Sequence, residues 1–402
     1  MHKKVTIVTD RFYPDESSTS YFIKEITKSI SDVNNGKINV ICANDLSNKK
    51  ELDFVKNKII RLSNNKLSKN HFFSRIFKFL ILSFKLSYLT YKNIGKNEKI
   101  FTYSFEPMVL FLAILKKIKK FKLIVLVYDV MPENLIAANI IKNNKSLIYQ
   151  LLKKIFDWGY KQVDYLIVIG RDMREIMKQK TDNTTPIKVI PNWSNIDEIK
   201  FQSKRKNKLI NKLKLQNMFV FSLVGNLGRL QGIEFLLEVS SLIKNQKFKL
   251  LFIGDGADLY KIKNHIKNKV SDNVVYGGNF SASNKNMILN ACDISIVSLN
   301  KKMYGLGVPS RFYNNLAAKK PILYFGDKKS EIGLEIQQNN IGWICDDLKP
   351  SKVAKKIEDI MKDYKKIKLY SKNSRKLVEK KYSKEIITRR YRDFFNQIEK
   401  SS

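Results

Sequence analysis

The sequence predicts an α/β protein built as two parallel-sheet domains, and three observations carry that expectation. Short apolar, β-branched runs alternate with helix-length segments from one end of the 402-residue chain to the other. The runs lack the apolar–polar alternation of a half-exposed strand, so they suit strands covered by helices on both faces. The two halves also repeat one order of strand, loop, helix and strand, over residues 5–42 and again over 219–253.

Taken in order, the strand-like runs of the first half are 5–9, 38–42, 100–103, 123–128, 165–169 and 187–190. Those of the second half are 219–224, 249–253, 274–276, 294–298, 322–325 and 342–344. Between them, Pro191 to Asp197 is rich in turn formers and is followed by a strongly basic stretch, 200–214. The expected division is therefore a Rossmann-like domain over 1–195 and a second over 196–382. The tail, 383–402, has helical spacing of Ile386, Ile387, Tyr391, Phe394, Phe395 and Ile398 and is expected to pack back on the first domain. Length agrees, since single cores stop growing at about 250–300 residues.

Composition is globular, with 44% hydrophobic residues, 24 Phe and 18 Tyr to fill two cores. Cys42, Cys292 and Cys345 are too few and too far apart for a disulfide framework or a zinc site, which favours a reducing, cytosolic setting. The start carries lysines but no apolar stretch of signal-peptide length. A net charge of +38 attracts phosphate-rich partners, whether nucleic acid, an anionic membrane or a nucleotide, although a Lys/Asn/Ile-rich composition accounts for part of it. Residues 75–92 place Arg75, Lys78, Lys85 and Lys92 on one helix face, with Phe77, Leu80, Ile81, Phe84 and Leu89 around the rest. Such a helix either lies on an anionic bilayer or is a core helix with a lysine edge, and the spacing favours the core helix slightly. The cluster Lys116 to Lys120 adds to the membrane case.

Ligands of parallel sheets bind at the carboxyl ends of strands, where helix N-termini offer unpaired N–H groups. Three loops qualify. The first, 10–20, supplies Ser18 and Thr19 just before a helix, where either also serves as an N-cap. The second, 224–232, holds Gly225, Asn226, Gly228, Arg229, Gln231 and Gly232, with glycines for close approach and an arginine for phosphate. The third, 304–318, holds Gly305, Gly307, Val308, Pro309, Ser310, Arg311 and Asn314, with Pro309 suited to a first helical turn. Neither a GxGxxG fingerprint nor a P-loop is present. His2, His71 and His265 lie outside all three loops.

With these loops in hand, the chain resembles the retaining GT-B glycosyltransferases of family 4 nearly end to end. The resemblance rests on Phe12-Tyr13-Pro14, on Tyr128-Asp129-Val130-Met131-Pro132-Glu133 and on Val189-Ile190-Pro191-Asn192. Gly254-Asp255-Gly256 and the block from Val308-Pro309-Ser310-Arg311 to Pro321 extend it. Within the family it looks most like transferases of amino-deoxysugars in O-antigen and capsule assembly. The resemblance implies two Rossmann-like domains facing across a cleft, the first binding the acceptor and the second the nucleotide sugar. It implies transfer from a nucleoside diphosphate sugar, with UDP favoured, to a lipid-linked glycan, with retention at the anomeric carbon. Donor-binding residues would be Gly225, Asn226, Gln231, Gly254, Val308, Pro309, Ser310 and Asn314, with Ser18 and Thr19 from the first loop.

The sequence departs from the family at defined places. The two glutamates usual in the third loop are Leu306 and Asn314, and the usual arginine and lysine of the second are Asn226 and Gln231. The first loop lacks the family's glycines. Arg229 and Arg311 are the available catalytic cations, aimed at charge gathering on the leaving diphosphate. Asp129 is the first choice of base and Glu133 the second, although a first-turn carboxylate such as Glu133 is equally explained by the helix dipole. No Asp-x-Asp occurs, so no metal or other cofactor is expected. The expected setting is cytoplasmic, peripheral to the inner face of an anionic membrane. Three rivals remain: a nucleic-acid-binding protein, which lacks any recognition motif here, a non-catalytic partner subunit of the same fold, and a sugar-nucleotide epimerase.

Overall fold

The computed structural model describes residues 4–43, 54–55, 58–62, 72–105, 107–279, 282–346 and 349–400. The chain forms two compact units. One holds Met1–Pro191 with Gly305–Gly307 and Ile387–Ser402, and the other Asn192–Tyr304 with Val308–Ile386.

The first unit is a seven-stranded parallel sheet of β1 (Val5–Thr9), β2 (Ile38–Ala43), β3 (Ile59–Leu62), β4 (Lys99–Tyr103), β5 (Lys122–Val127), β6 (Tyr165–Val168) and β7 (Ile187–Val189). Their order is β3-β2-β1-β4-β5-β6-β7. The crossovers carry α1 (Ser18–Val33), α2 (Phe72–Asn93), α3 (Met108–Ile118), α4 (Glu133–Ala137), α5 (Leu147–Lys161) and α6 (Arg171–Lys180). β3 was not expected, because Ile59–Leu62 is half-buried at the sheet edge and short, which leaves little apolar signal to read.

The second unit is a six-stranded parallel sheet of β8 (Phe219–Val224), β9 (Phe248–Ile253), β10 (Val274–Tyr276), β11 (Ile294–Ser298), β12 (Ile322–Phe325) and β13 (Gly342–Cys345). The order is β10-β9-β8-β11-β12-β13. Its strands are covered on both faces. Phe221, Leu223, Leu250 and Phe252 enter one core with the helices Ile233–Leu242 and Pro350–Lys362. Val220, Val224, Leu251 and Ile253 enter the other, against Ile210, Ile288 and Cys292. That explains why neither β8 nor β9 alternates apolar with polar residues. Both sheets thus share the Rossmann-like order, in which the chain winds one way from the first strand, returns, and winds the other way. The three cysteines are free and buried.

The last helix, Lys384–Lys400, belongs from Ile387 onward to the first unit. Phe395 meets Phe101 of β4 edge-on at 5.9 Å, and Phe394 meets Tyr165 of β6 at 5.8 Å. The buried ammonium of Lys99 pairs with Glu399. Removing one partner of a buried pair strands the other charge and costs about 3–5 kcal/mol, whereas replacing both ions by apolar side chains is far better tolerated. Glu399→Ala should therefore lower the urea midpoint well below that of Lys99→Met combined with Glu399→Leu, and equal midpoints would show that the pair is not buried in solution.

Candidate functional site

In sheets of this order, the loops leaving the two strands at the reversal diverge to opposite faces and open a crevice at the carboxyl ends. In the second unit those strands are β8 and β11, paired through Ile294 with Phe221 and Ser295 with Ser222. The β8 loop begins at Gly225, whose φ of +113° is strained for any side-chain-bearing residue. A Cβ built there would lie 4.0 Å from Cζ of Arg311. The β9 loop closes on the same point: a Cβ on Gly254, at φ +133°, would sit 1.9 Å from the Gly225 carbonyl oxygen. Two bonds hold the loops in register, from the Gly225 N–H to the Ile253 carbonyl at 2.9 Å and from the Leu227 N–H to the Asp255 carbonyl at 2.8 Å.

Arg311 opens the helix Arg311–Ala317, and its Nη1 is enclosed without a hydrogen-bond partner. Burial, not a neighbouring charge, pulls its pKa down to about 10. A guanidinium carries five donors and normally satisfies them with carboxylate or phosphate. This one faces a glycine backbone instead, in a crevice of the kind that takes phosphates.

The other expected donor residues differ in exposure and in partners. Asn226 and Arg229 are exposed on the β8 loop, Arg229 in the short turn Arg229–Gln231. Gln231 is buried and its Oε1 lacks a partner. Val308 is buried, and Ser310 caps the helix Arg311–Ala317 without a side-chain capping bond. Asn314 accepts a hydrogen bond from Ser194 Oγ at 3.0 Å through Oδ1, which leaves its Nδ2 group as a donor. Leu306 belongs to the first unit and is buried.

Ser18, Thr19, Asp129 and Glu133 belong to the first unit. Ser18 and Thr19 occupy the first turn of α1, but neither is the cap: Ser17 accepts the Ser20 N–H at 3.3 Å. Asp129 follows β5. Its backbone N–H and that of Tyr128 donate to Ser104 Oγ at 3.1 and 3.0 Å, and Asn134 Nδ2 donates to its Oδ1 at 3.0 Å. The residue opens to solvent on one side, while the protein packed behind it desolvates the carboxyl and raises its pKa, with the Asn134 bond pulling the other way. Glu133 differs. Buried Lys180 reaches both its oxygens, at 2.8 and 2.9 Å, Lys153 lies 3.8 Å away, and Tyr149 donates to it at 3.4 Å. A carboxylate so held has the partners of a structural counter-ion.

Sequence reasoning missed Asp10, at the end of β1. It is paired with the Tyr103 hydroxyl at the end of β4 and lies 3.7 Å from Arg11 Nε. Burial raises its pKa, opposed by Tyr103 and Arg11. β1 and β4 are the strands at the first sheet's reversal, so Asp10, Tyr103 and Ser104 line the first unit's crevice. Finding them needed the strand order, which places residues 93 positions apart side by side. His265 lies in the helix Leu259–Lys267, away from these loops, while His2 and His71 lie outside the described residues.

Comparison with known proteins agrees with this architecture. Residues 203–377 match the model of the glycosyl transferases group 1. A probable glycosyltransferase of Pseudomonas aeruginosa, WbjE, is 40% identical over 240 residues, a match spanning 60% of this chain and 60% of that protein's length. An uncharacterized glycosyltransferase of Methanocaldococcus jannaschii is 22% identical over 98% of both chains. Among solved structures, sucrose-phosphate synthase from Thermosynechococcus elongatus superposes over 100% of both chains with a TM-score of 0.78 at 13% identity. HepE from Anabaena, solved with UDP, covers 98% of this chain and 100% of its own with a TM-score of 0.69 at 14% identity. The fold is that of the GT-B glycosyltransferases, and the group 1 match with the two relatives supports a glycosyltransferase enzyme.

The raised pKa of Asp129 has a stability consequence. A carboxyl whose folded pKa lies above its unfolded value weakens the fold as pH rises through that interval, because the native state then holds the extra proton. Asp129→Asn should raise the thermal midpoint at pH 7 over wild type, and the gain should vanish below about pH 4, where both states are protonated. A midpoint lowered at pH 7 would place Asp129 in a stabilising interaction instead.

Proposed function

We propose that the chain is a retaining glycosyltransferase that moves a sugar from a nucleoside diphosphate, with UDP favoured, to a lipid-linked glycan during assembly of a bacterial surface polysaccharide. The observation that carries this reading is Arg311, a guanidinium with an enclosed, unpartnered Nη1 beside the Gly225 backbone at the second sheet's reversal. The complexes of HepE with UDP and with UDP-glucose support a nucleotide-sugar donor, and the relative WbjE, a probable glycosyltransferase, supports sugar transfer.

In this reading the second unit holds the donor. Arg311 and the exposed Arg229 meet the diphosphate, Gly225 and Gly254 give it room, and Gln231 and the Asn314 amide bind polar groups of the nucleotide. As the glycosidic C–O bond breaks, negative charge gathers on the departing diphosphate, and cations fixed in advance there stabilise the transition state more than the ground state. The acceptor hydroxyl attacks the same face of the anomeric carbon, and its proton passes to a departing phosphate oxygen, so no strong protein base is required. The first unit takes the acceptor, with Asp129 open to solvent and able to accept a hydrogen bond from it. Charge neutralisation by arginine lets the donor bind without a metal. An amino-deoxysugar is the first donor class to test, and the enzyme works at the inner face of an anionic membrane.

Arg311→Ala should lower kcat/KM for the donor by about 10²–10³-fold, while the apo-protein keeps or gains thermal stability because an unpaired charge has been removed. Arg229→Ala should cost less, since an exposed cation is screened by solvent. Sugar transfer followed with chromatographic product analysis checks both, and unchanged transfer in the two variants discards the assignment. Chelation with EDTA should leave turnover at its starting value, and loss restored by a divalent cation would overturn the metal-free donor site.

A further inference from the structure

We infer that the outer face of α2, α3 and α5 is a docking plane for an anionic lipid bilayer. The inference deepens the membrane setting of the proposed function and rests on it only in taking the acceptor to be lipid-borne.

α2 is turned the opposite way from a helix that meets water. Ser83, Leu86, Ser87 and Thr90 face the protein and are buried. Phe77, Leu80, Ile81, Phe84, Tyr88 and Tyr91 face out, with Phe77 65% and Phe84 62% exposed. The exposed set recurs at helical spacing, so it forms one stripe, and the expectation of a core helix with a lysine edge is overturned. α2 packs on α3 and α3 on α5, with Phe84 against Phe111 at 6.5 Å and Lys117 over the Trp158 ring at 5.1 Å. α3 adds Ile114 and Ile118 to the same exposed class, and α5 adds Leu147, Ile148, Leu151 and Ile155. Twelve of the twenty exposed large hydrophobic side chains among the described residues fall on these three helices. Scattered exposed apolar residues need no explanation, but a patch of this kind marks a surface that is covered in use.

Charge selects the cover. α2 and α3 contain no Asp or Glu, and the single acid of α5, Asp157, is taken by Lys153 and Lys180. Lys85, Lys92, Lys117 and Lys120 are exposed around the apolar stripe. Lys92 lies over the Tyr88 ring at 4.6 Å and Lys119 over Tyr91 at 4.4 Å, which pairs cations with rings at the edge of the patch. The Arg75 side chain lies outside the described ones. A second copy on this face would set lysine against lysine, whereas phosphate headgroups neutralise them and acyl chains receive the phenylalanines. No helix among the described residues is long and apolar enough to cross a membrane, so the plane lies on the bilayer.

Flotation with vesicles of phosphatidylcholine, alone and with one-third phosphatidylglycerol, tests this on the full chain. Wild type should float with the anionic vesicles and stay behind with the zwitterionic ones. Phe77→Ser combined with Phe84→Ser, and separately Lys85→Glu combined with Lys117→Glu, should each weaken binding by at least about tenfold, with donor hydrolysis unchanged as a control for folding. Wild-type flotation by both variants overturns the docking plane. So does absence of vesicle binding joined to a dimer that the Phe77/Phe84 variant dissolves by light scattering, which assigns the face to a second copy and leaves the glycosyltransferase reading standing. Vesicle binding as expected, with no turnover of any nucleotide sugar, keeps the docking plane and removes that reading.

Discussion

A positive charge enclosed by protein without a counter-charge is among the more expensive arrangements a fold can hold. Arg311, half-buried as a residue with its Nη1 enclosed and unpartnered, comes close to that position. The reversal of strand order between β8 and β11 opens the crevice. Gly225 and Gly254 keep side chains out of it, because a Cβ on either meets strained backbone and, on Gly254, the neighbouring loop. The guanidinium therefore waits at a place shaped for the backbone-and-arginine recognition that phosphate oxygens favour.

The first unit uses the same strand order for different chemistry. Its crevice is lined by Asp10, Tyr103, Ser104 and Asp129, hydrogen-bonded along the ends of β1, β4 and β5. Burial raises the pKa of both aspartates, opposed by their hydrogen bonds to Tyr103 and Asn134. The same unit turns an apolar, lysine-rimmed helical face outward. A polar crevice and an amphipathic surface on one domain are what an acceptor with a sugar head and a lipid tail would require.

Much of this was legible in the residues, and the remainder was not for identifiable reasons. Strands such as β8 and β9 were readable because burial on both faces demands continuous apolar runs. Arg311 stood out because a glycine-rich loop accounts for its glycines but not for an arginine. Asp10 and Tyr103 escaped notice because their pairing depends on β1 and β4 being neighbours, which only the sheet order reveals. The hold of Lys180 on Glu133 was hidden for the same reason, across 47 positions. The orientation of α2 was hidden by symmetry: its pattern has one stripe of Ser, Thr and Leu and another of Phe, Ile and Tyr, and hydrophobicity alone would have buried the second. The structure buries the first.

The most direct test of the account is calorimetric titration of wild type and Arg311→Gln with UDP and with uridine. The account has wild type binding UDP much more tightly than uridine, with the difference shrinking as salt rises, and the glutamine variant losing that preference while its weak uridine binding is unaltered. Equal UDP affinity in the two proteins would mean that the buried guanidinium does not meet the diphosphate, and the donor site would have to be sought elsewhere.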